Sequence, residues 1–162
     1  MSMYFIGIDI SKYKHDCCII SAANQKVVSK VIIKNNKAGF NELLTIIHSL
    51  ANPADIRIGF ESTAHYALNL ELFLENSLLT FMEVNPVLIS EYKKSKTLRR
   101  TKTDSVDCES IARWLMTVEY KPHSKGFYHA YSLKSLTRLR DRLIRQRSFY
   151  LVKITNVCLL YT

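Results

Sequence analysis

The 162-residue sequence predicts an α/β fold: a mixed sheet in the order β-β-β-α-β-α-β-α with an appended C-terminal helix. Three observations carry that expectation. Dense runs of β-forming apolar residues open the chain at MYFIGIDI and recur at IRIGF. Between and beyond those runs, apolar residues repeat at three- and four-residue intervals. The pairs Asn35-Asn36, Asn52-Pro53 and Asn85-Pro86 mark the changes of period, as turn-forming residues do.

Residues 3–10 form the first, central strand. Residues 15–21 and 26–33 read as two further strands joined by Ala22-Ala23-Asn24-Gln25, where the Asn suits a hairpin turn. Short connections make these three an antiparallel meander. From Lys37, the residues Phe40, Leu43, Leu44, Ile47 and Leu50 keep helical spacing as far as Asn52-Pro53. Residues 56–60 are the fourth strand, with Glu61 at its C-terminal end. Ser62-Thr63 offer capping hydroxyls for a second helix carrying Leu68, Leu70, Leu72, Phe73 and Leu74. Residues 78–84 are the fifth strand. A short helix from Pro86 leads into KKSKTLRRTK, and Asp104 opens the next helix. Residues 121–130 read as a loop holding Pro122 and Gly126, followed by a long helix from about Ser132. A mixed sheet in this order, with helices on both faces, matches the ribonuclease H-like arrangement. The domain expectation is 1–120 for the sheet and 121–162 for the loop and basic amphipathic helix.

The apolar content of 48% is enough for a core in one domain of this length. No apolar run reaches membrane-spanning length, and the chain starts directly in a strand-like segment, so a cytoplasmic protein is expected. Cys17, Cys18, Cys108 and Cys158 show no zinc-ligand spacing and read as buried free thiols. Charge is segregated. Up to Ile89 there are seven Lys/Arg against eight Asp/Glu, and from Ser90 onward sixteen against six. A basic half of this kind points to a polyanion such as nucleic acid.

Four carboxylates carry the chemical argument: Asp9, Glu61, Asp104 and Asp107. Asp9 lies between Ile8 and Ile10 in the central strand, where an acid is costly unless something cationic neutralises it. Glu61 ends the fourth strand, which can lie beside the first. Asp104 and Asp107 are three residues apart at a helix start and so share a face. Oxygen ligands of this kind suit Mg²⁺ or Mn²⁺. Two such ions about 4 Å apart can serve both the attacking and the leaving oxygen of a phosphodiester. The plainer alternatives are a helix cap for Asp104, a first-turn acid for Asp107 and a surface acid for Glu61.

The blocks GIDISK, GFESTAHY, Asn85-Pro86 and KTDSVDCESIAR resemble, in order and spacing, the DEDD-type, RuvC-like transposases of insertion sequences. That group includes the pilin-gene invertases and the bridge-RNA-guided recombinases. The resemblance implies a RuvC-like domain acting in DNA transposition or site-specific recombination, with Asp9, Glu61, Asp104 and Asp107 as catalytic metal ligands. Ala64 and Cys108 stand where that family usually has Gly and Ala. It also implies a helical linker and a second domain bearing a nucleophilic serine. The sequence stops at Thr162, so the expectation is the N-terminal catalytic domain only, incomplete for full strand exchange.

Lys93, Lys94, Lys96, Arg99, Arg100 and Lys102 precede Asp104 and are the expected nucleic-acid contacts, for DNA or for a guide RNA. Leu136, Leu139, Leu143, Tyr150, Ile154 and Val157 stripe the last helix and suit a homo-oligomer contact. His65 and Tyr66 could touch a phosphate or sugar, although packing or capping suits them better. Ser11 and Ser62 have no general base near them in sequence. An actin-like ATPase shares this strand order but needs glycine-rich phosphate loops. The four glycines here are scattered at 7, 39, 59 and 126. The other standing alternative is a non-catalytic module that binds nucleic acid or dimerises.

Overall fold

A computed structural model describes residues 3–61, 66–96, 104–123 and 127–160, in two compact units, 1–123 and 124–162. The first unit is built on a five-stranded sheet ordered β3-β2-β1-β4-β5. Its strands are β1 (Tyr4–Ile10), β2 (Lys14–Ser21), β3 (Val27–Lys34), β4 (Ile56–Glu61) and β5 (Phe81–Val84). The first three pair antiparallel, whereas β4 runs parallel to both β1 and β5. The helices of this unit are α1 (Lys37–Leu50), α2 (Leu68–Asn76), α3 (Pro86–Lys96) and α4 (Asp104–Leu115). The mixed sheet and its order are those of the ribonuclease H-like arrangement the sequence predicts.

Strand alternation assigns the two faces. Phe5, Gly7 and Asp9 of β1 are in register with Ile20, Cys18 and Asp16 of β2. Phe5 and Gly7 also pair with Arg57 and Gly59 of β4. This is the face that α4 covers: Cys18 and Ile20 cluster with Cys108 and Ala112, and Phe5 and Val84 cluster with Ile111, Trp114 and Leu115. The opposite face carries Ile6, Ile8, Ile19, Ile58 and Phe60, all essentially fully buried. There α1 contributes Phe40, which stacks on His15 of β2 and meets Phe73 of α2. Asn36 caps α1 by accepting from the Gly39 amide at 3.0 Å, and Asn85 caps α3 by accepting from the Val87 amide at 2.9 Å.

Several boundaries differ from the sequence expectation. The second helix starts at Leu68 with Ala67 as its cap and no side-chain capping bond, so Ser62-Thr63 are too far upstream to cap it. Residues 62–65 lie outside the described residues. The fifth strand starts at Phe81 and not at 78, because Leu78 takes a positive φ and the Leu79 amide bonds back to the Leu74 carbonyl, closing the helix. Pro53–Asp55 forms a single 3₁₀ turn that the Asn-Pro signal marked only as a break. Cys17, Cys18 and Cys108 are buried as expected, but Cys158 is exposed.

The second unit is a single helix, α5 (Phe127–Leu160), which begins about five residues earlier than expected because nothing after Gly126 interrupts it. Its apolar residues, Leu136, Leu139, Leu143, Tyr150, Ile154 and Val157 among them, are exposed. Among the described residues, no helix is long and apolar enough to cross a membrane.

Candidate metal and nucleic-acid site

The site grows from the end of the β1–β4 ladder. The parallel register runs from Tyr4 with Ile56 to Ile8 with Phe60. The pairing ends there; Asp9 and Glu61 are the next residues of the two strands, each on the face covered by α4 by strand alternation. A strand that buries Ile8 and Ile10 on one side must turn the intervening residue to the other. Asp9 is accordingly only half-buried.

The α4 helix brings Asp107 to the same place. Lys93 of α3 spans the two elements, with its Nζ 2.9 Å from Asp107 Oδ1 and 3.9 Å from Glu61 Oε1. Burial pushes the Glu61 carboxyl above its usual range; Lys93 pulls it back, and the Asp107 charge adds to the rise. Asp104 opens α4, one helical turn before Asp107, but its side chain lies outside the described residues. Among the described residues, no three acidic, His or Cys side chains come close enough to hold an ion by themselves.

A nearby acid was missed in the sequence. Asp16 of β2 is the direct cross-strand partner of Asp9, and it is 9% exposed, with Lys14 Nζ 3.4 Å from its Oδ2. The signal was its position one residue from Cys17 on an alternating strand, which becomes informative only once the hairpin register is known. Glu109 of α4 was missed as well. It joins Lys30 of β3 at 2.8 Å and Arg113 at 2.9 Å, so α4 is fastened to the sheet on its far side. The Lys30 bond, helped by Arg113, holds the Glu109 carboxyl below its usual range.

The predicted nucleic-acid contacts divide. Lys93 is turned to the acids, whereas Lys94 is exposed on α3. The side chain of Lys96, and Arg99, Arg100 and Lys102 entirely, lie outside the described residues, as does His65. Tyr66 is exposed, and its carbonyl accepts from Asn35 Nδ2 at 3.3 Å. Ser11 donates its hydroxyl to the Lys14 carbonyl, a local turn bond.

The groups are carboxylate oxygens, the donor type that hard divalent ions take, and the Lys93 ammonium beside Glu61 and Asp107 already supplies one positive charge.

A family model described as a transposase, of the DEDD type named for IS110, matches residues 6–161. The chain belongs to the DEDD transposase family. Two relatives of this chain are the pilin gene-inverting proteins of Moraxella bovis and Moraxella lacunata, each 33% identical over 115 residues. Those 115 residues are 70% of this chain but only 34% of either relative, so the chain matches about a third of their length. Among solved structures, RuvC of Thermus thermophilus in complex with Holliday junction substrate aligns with a TM-score of 0.52 at 11% identity. That alignment covers 75% of this chain and 99% of RuvC, and a second T. thermophilus RuvC structure gives the same TM-score. The chain therefore has a RuvC-like fold.

Proposed function

We propose that this chain performs phosphodiester chemistry on DNA during transposition or site-specific recombination, with Asp9, Glu61, Asp104 and Asp107 holding Mg²⁺ or Mn²⁺. The observation that carries the reading is the approach of Glu61 and Asp107, from β4 and α4, to one ammonium, at the end of the β1–β4 pairing, where Asp9 is the next residue of β1. A divalent ion held there would supply activation of an attacking oxygen and charge stabilisation of a leaving one. The chain's own residues do the rest. The ends of β1 and β4 carry Asp9 and Glu61, and α4 brings Asp107 to the ammonium that Glu61 also faces. Lys94 is exposed on α3, and together with Lys96, Arg99, Arg100 and Lys102 it is the proposed contact for a phosphate backbone. A helix that begins with two acids is a poor anion site by itself, so neutralisation by metal and by these lysines and arginines has to precede docking of a polyanion.

Duplex DNA, including branched duplex, is the proposed substrate, and a guide RNA the proposed second ligand of the basic segment. The domain reading, a RuvC-like unit followed by a helix leading to further catalytic parts, belongs to the same proposal. The exposed apolar positions of α5 favour a homo-oligomer through that helix. Incubating purified protein with linear and four-way duplexes in Mg²⁺ tests the proposal. Metal-dependent strand scission that disappears in Asp9→Asn supports it. Salt-sensitive binding with no scission in any metal favours the non-catalytic module instead.

A further inference from the structure

We infer that Lys93 is the resident cation of this site, holding Glu61 and Asp107 together before a divalent ion arrives and competing with that ion for the same oxygens. The inference rests on the metal reading above and adds to it a residue that sets metal affinity.

The geometry differs from that of an ordinary surface ion pair. Lys93 comes from α3, whereas its two partners come from β4 and α4, so a single ammonium closes a gap between three separately placed elements. Its side chain is 30% exposed, and those of Glu61 and Asp107 are 20% and 28% exposed, so solvent screens the contact only in part. Two carboxylates facing one another in such a place repel unless a cation sits between them. The carboxylates that face the ammonium, Asp107 in hydrogen-bond contact and Glu61 at ion-pair distance, are the ones a metal would need. Binding the ion therefore requires Lys93 to leave.

Leaving is easy for lysine in particular. Its charge sits at the end of a flexible four-carbon stem, it makes no planar two-point grip as arginine does, and it is readily rehydrated. The neighbouring Lys94 is exposed on the same helix. A displaced Lys93 would join it on the side from which a phosphate backbone approaches. Metal entry and polyanion docking thus become favourable to one another, because each removes the ammonium from its competing partner.

The test is Mn²⁺ affinity at fixed ionic strength, by calorimetry on the full chain, for the unaltered protein and for Lys93→Gln, Lys93→Arg and Asp107→Asn. Lys93→Gln should bind Mn²⁺ roughly three- to tenfold more tightly, the size of one partly screened charge pair. Lys93→Arg should stay close to the unaltered protein or bind more weakly, and Asp107→Asn should lose most binding. A purely structural Lys93 predicts the reverse for Lys93→Gln, a loosened site with weaker binding. Equal or weaker Mn²⁺ affinity in Lys93→Gln, with binding still dependent on Asp107, overturns the inference and leaves the metal reading standing. No Mn²⁺ binding by any form overturns both. A second measurement needs no variant: in Mg²⁺ titrations followed through the lysine Nζ resonances, the Lys93 signal should move to that of a solvated lysine. A signal that stays put while the ion binds contradicts the competition.

Discussion

Gly7 of β1 lies directly beneath the main chain of α4, where a Cβ would run into the Cys108 carbonyl oxygen and the Ala112 amide nitrogen. This contact sets how closely the helix approaches the strand, two residues before Asp9 and one residue after Asp107. The distance between the carboxylates of the strand and those of the helix thus depends on a missing side chain. Gly59, its partner in the β1–β4 register, leaves room for the Leu115 side chain in the same way.

The two glycines should therefore respond differently to the same methyl group. Gly7→Ala meets backbone that cannot step aside and should cost about 3 kcal/mol or more, at the upper end for overpacked cores. Gly59→Ala meets the Leu115 Cδ1 at 2.7 Å, the mobile end of a side chain, and should cost less, about 1–2 kcal/mol. Urea unfolding midpoints of the two variants decide this. Equal losses would mean that α4 is free to lift.

Much of this was legible in the sequence, and the reason differs by residue. Asp9 and Glu61 each end a dense apolar run, so their placement at strand ends needed only periodicity. Bringing the two strand ends together needed a parallel β1–β4 pair, which the element order implies. Asp16 was not legible, because which side of β2 faces α4 depends on the hairpin register with β1. Nor was the role of Lys93. Its neighbour Lys94 is exposed, and only the placement of α3 beside α4 turns Lys93 to the acids. The late start of β5 turned on the positive φ of Leu78, which no turn-forming residue announces.

His15 gives the fold a pH dependence of known sign. It is fully buried on the α1 side of the sheet, stacked on Phe40, and its Nδ1 accepts weakly from the Ser11 amide at 3.4 Å. Burial holds its pKa below the ordinary 6.5, with Asn35, the Lys14 backbone and Asp16 opposing the shift. The unfolded chain takes up this proton near 6.5 and the folded chain only at lower pH. The stabilisation is therefore complete above 6.5 and declines as pH falls from there through the folded value. His15→Phe, which keeps a ring against Phe40, should flatten that part of the profile in melting experiments between about pH 7 and 5.

Nucleic-acid affinity should divide by residue in the basic segment. Replacing Lys94, Arg99 and Arg100 with alanine should lower the slope of log affinity against log salt by roughly 0.9 for each duplex phosphate that is no longer neutralised. The same replacements should leave Mn²⁺ affinity unchanged, since Lys94 is exposed and makes no ion pair with the acids among the described residues. Filter binding across salt with one DNA and one RNA ligand shows which polymer carries the larger slope. A slope that does not move would place the polyanion elsewhere on the chain.

The most direct test is a crystal structure determined with Mn²⁺ present. Anomalous density should lie among Asp9, Glu61, Asp104 and Asp107, with the Lys93 ammonium displaced from its place between Glu61 and Asp107. Well-ordered carboxylates with no anomalous peak between them, at Mn²⁺ concentrations that saturate binding in solution, would contradict the metal site on which the proposed chemistry rests.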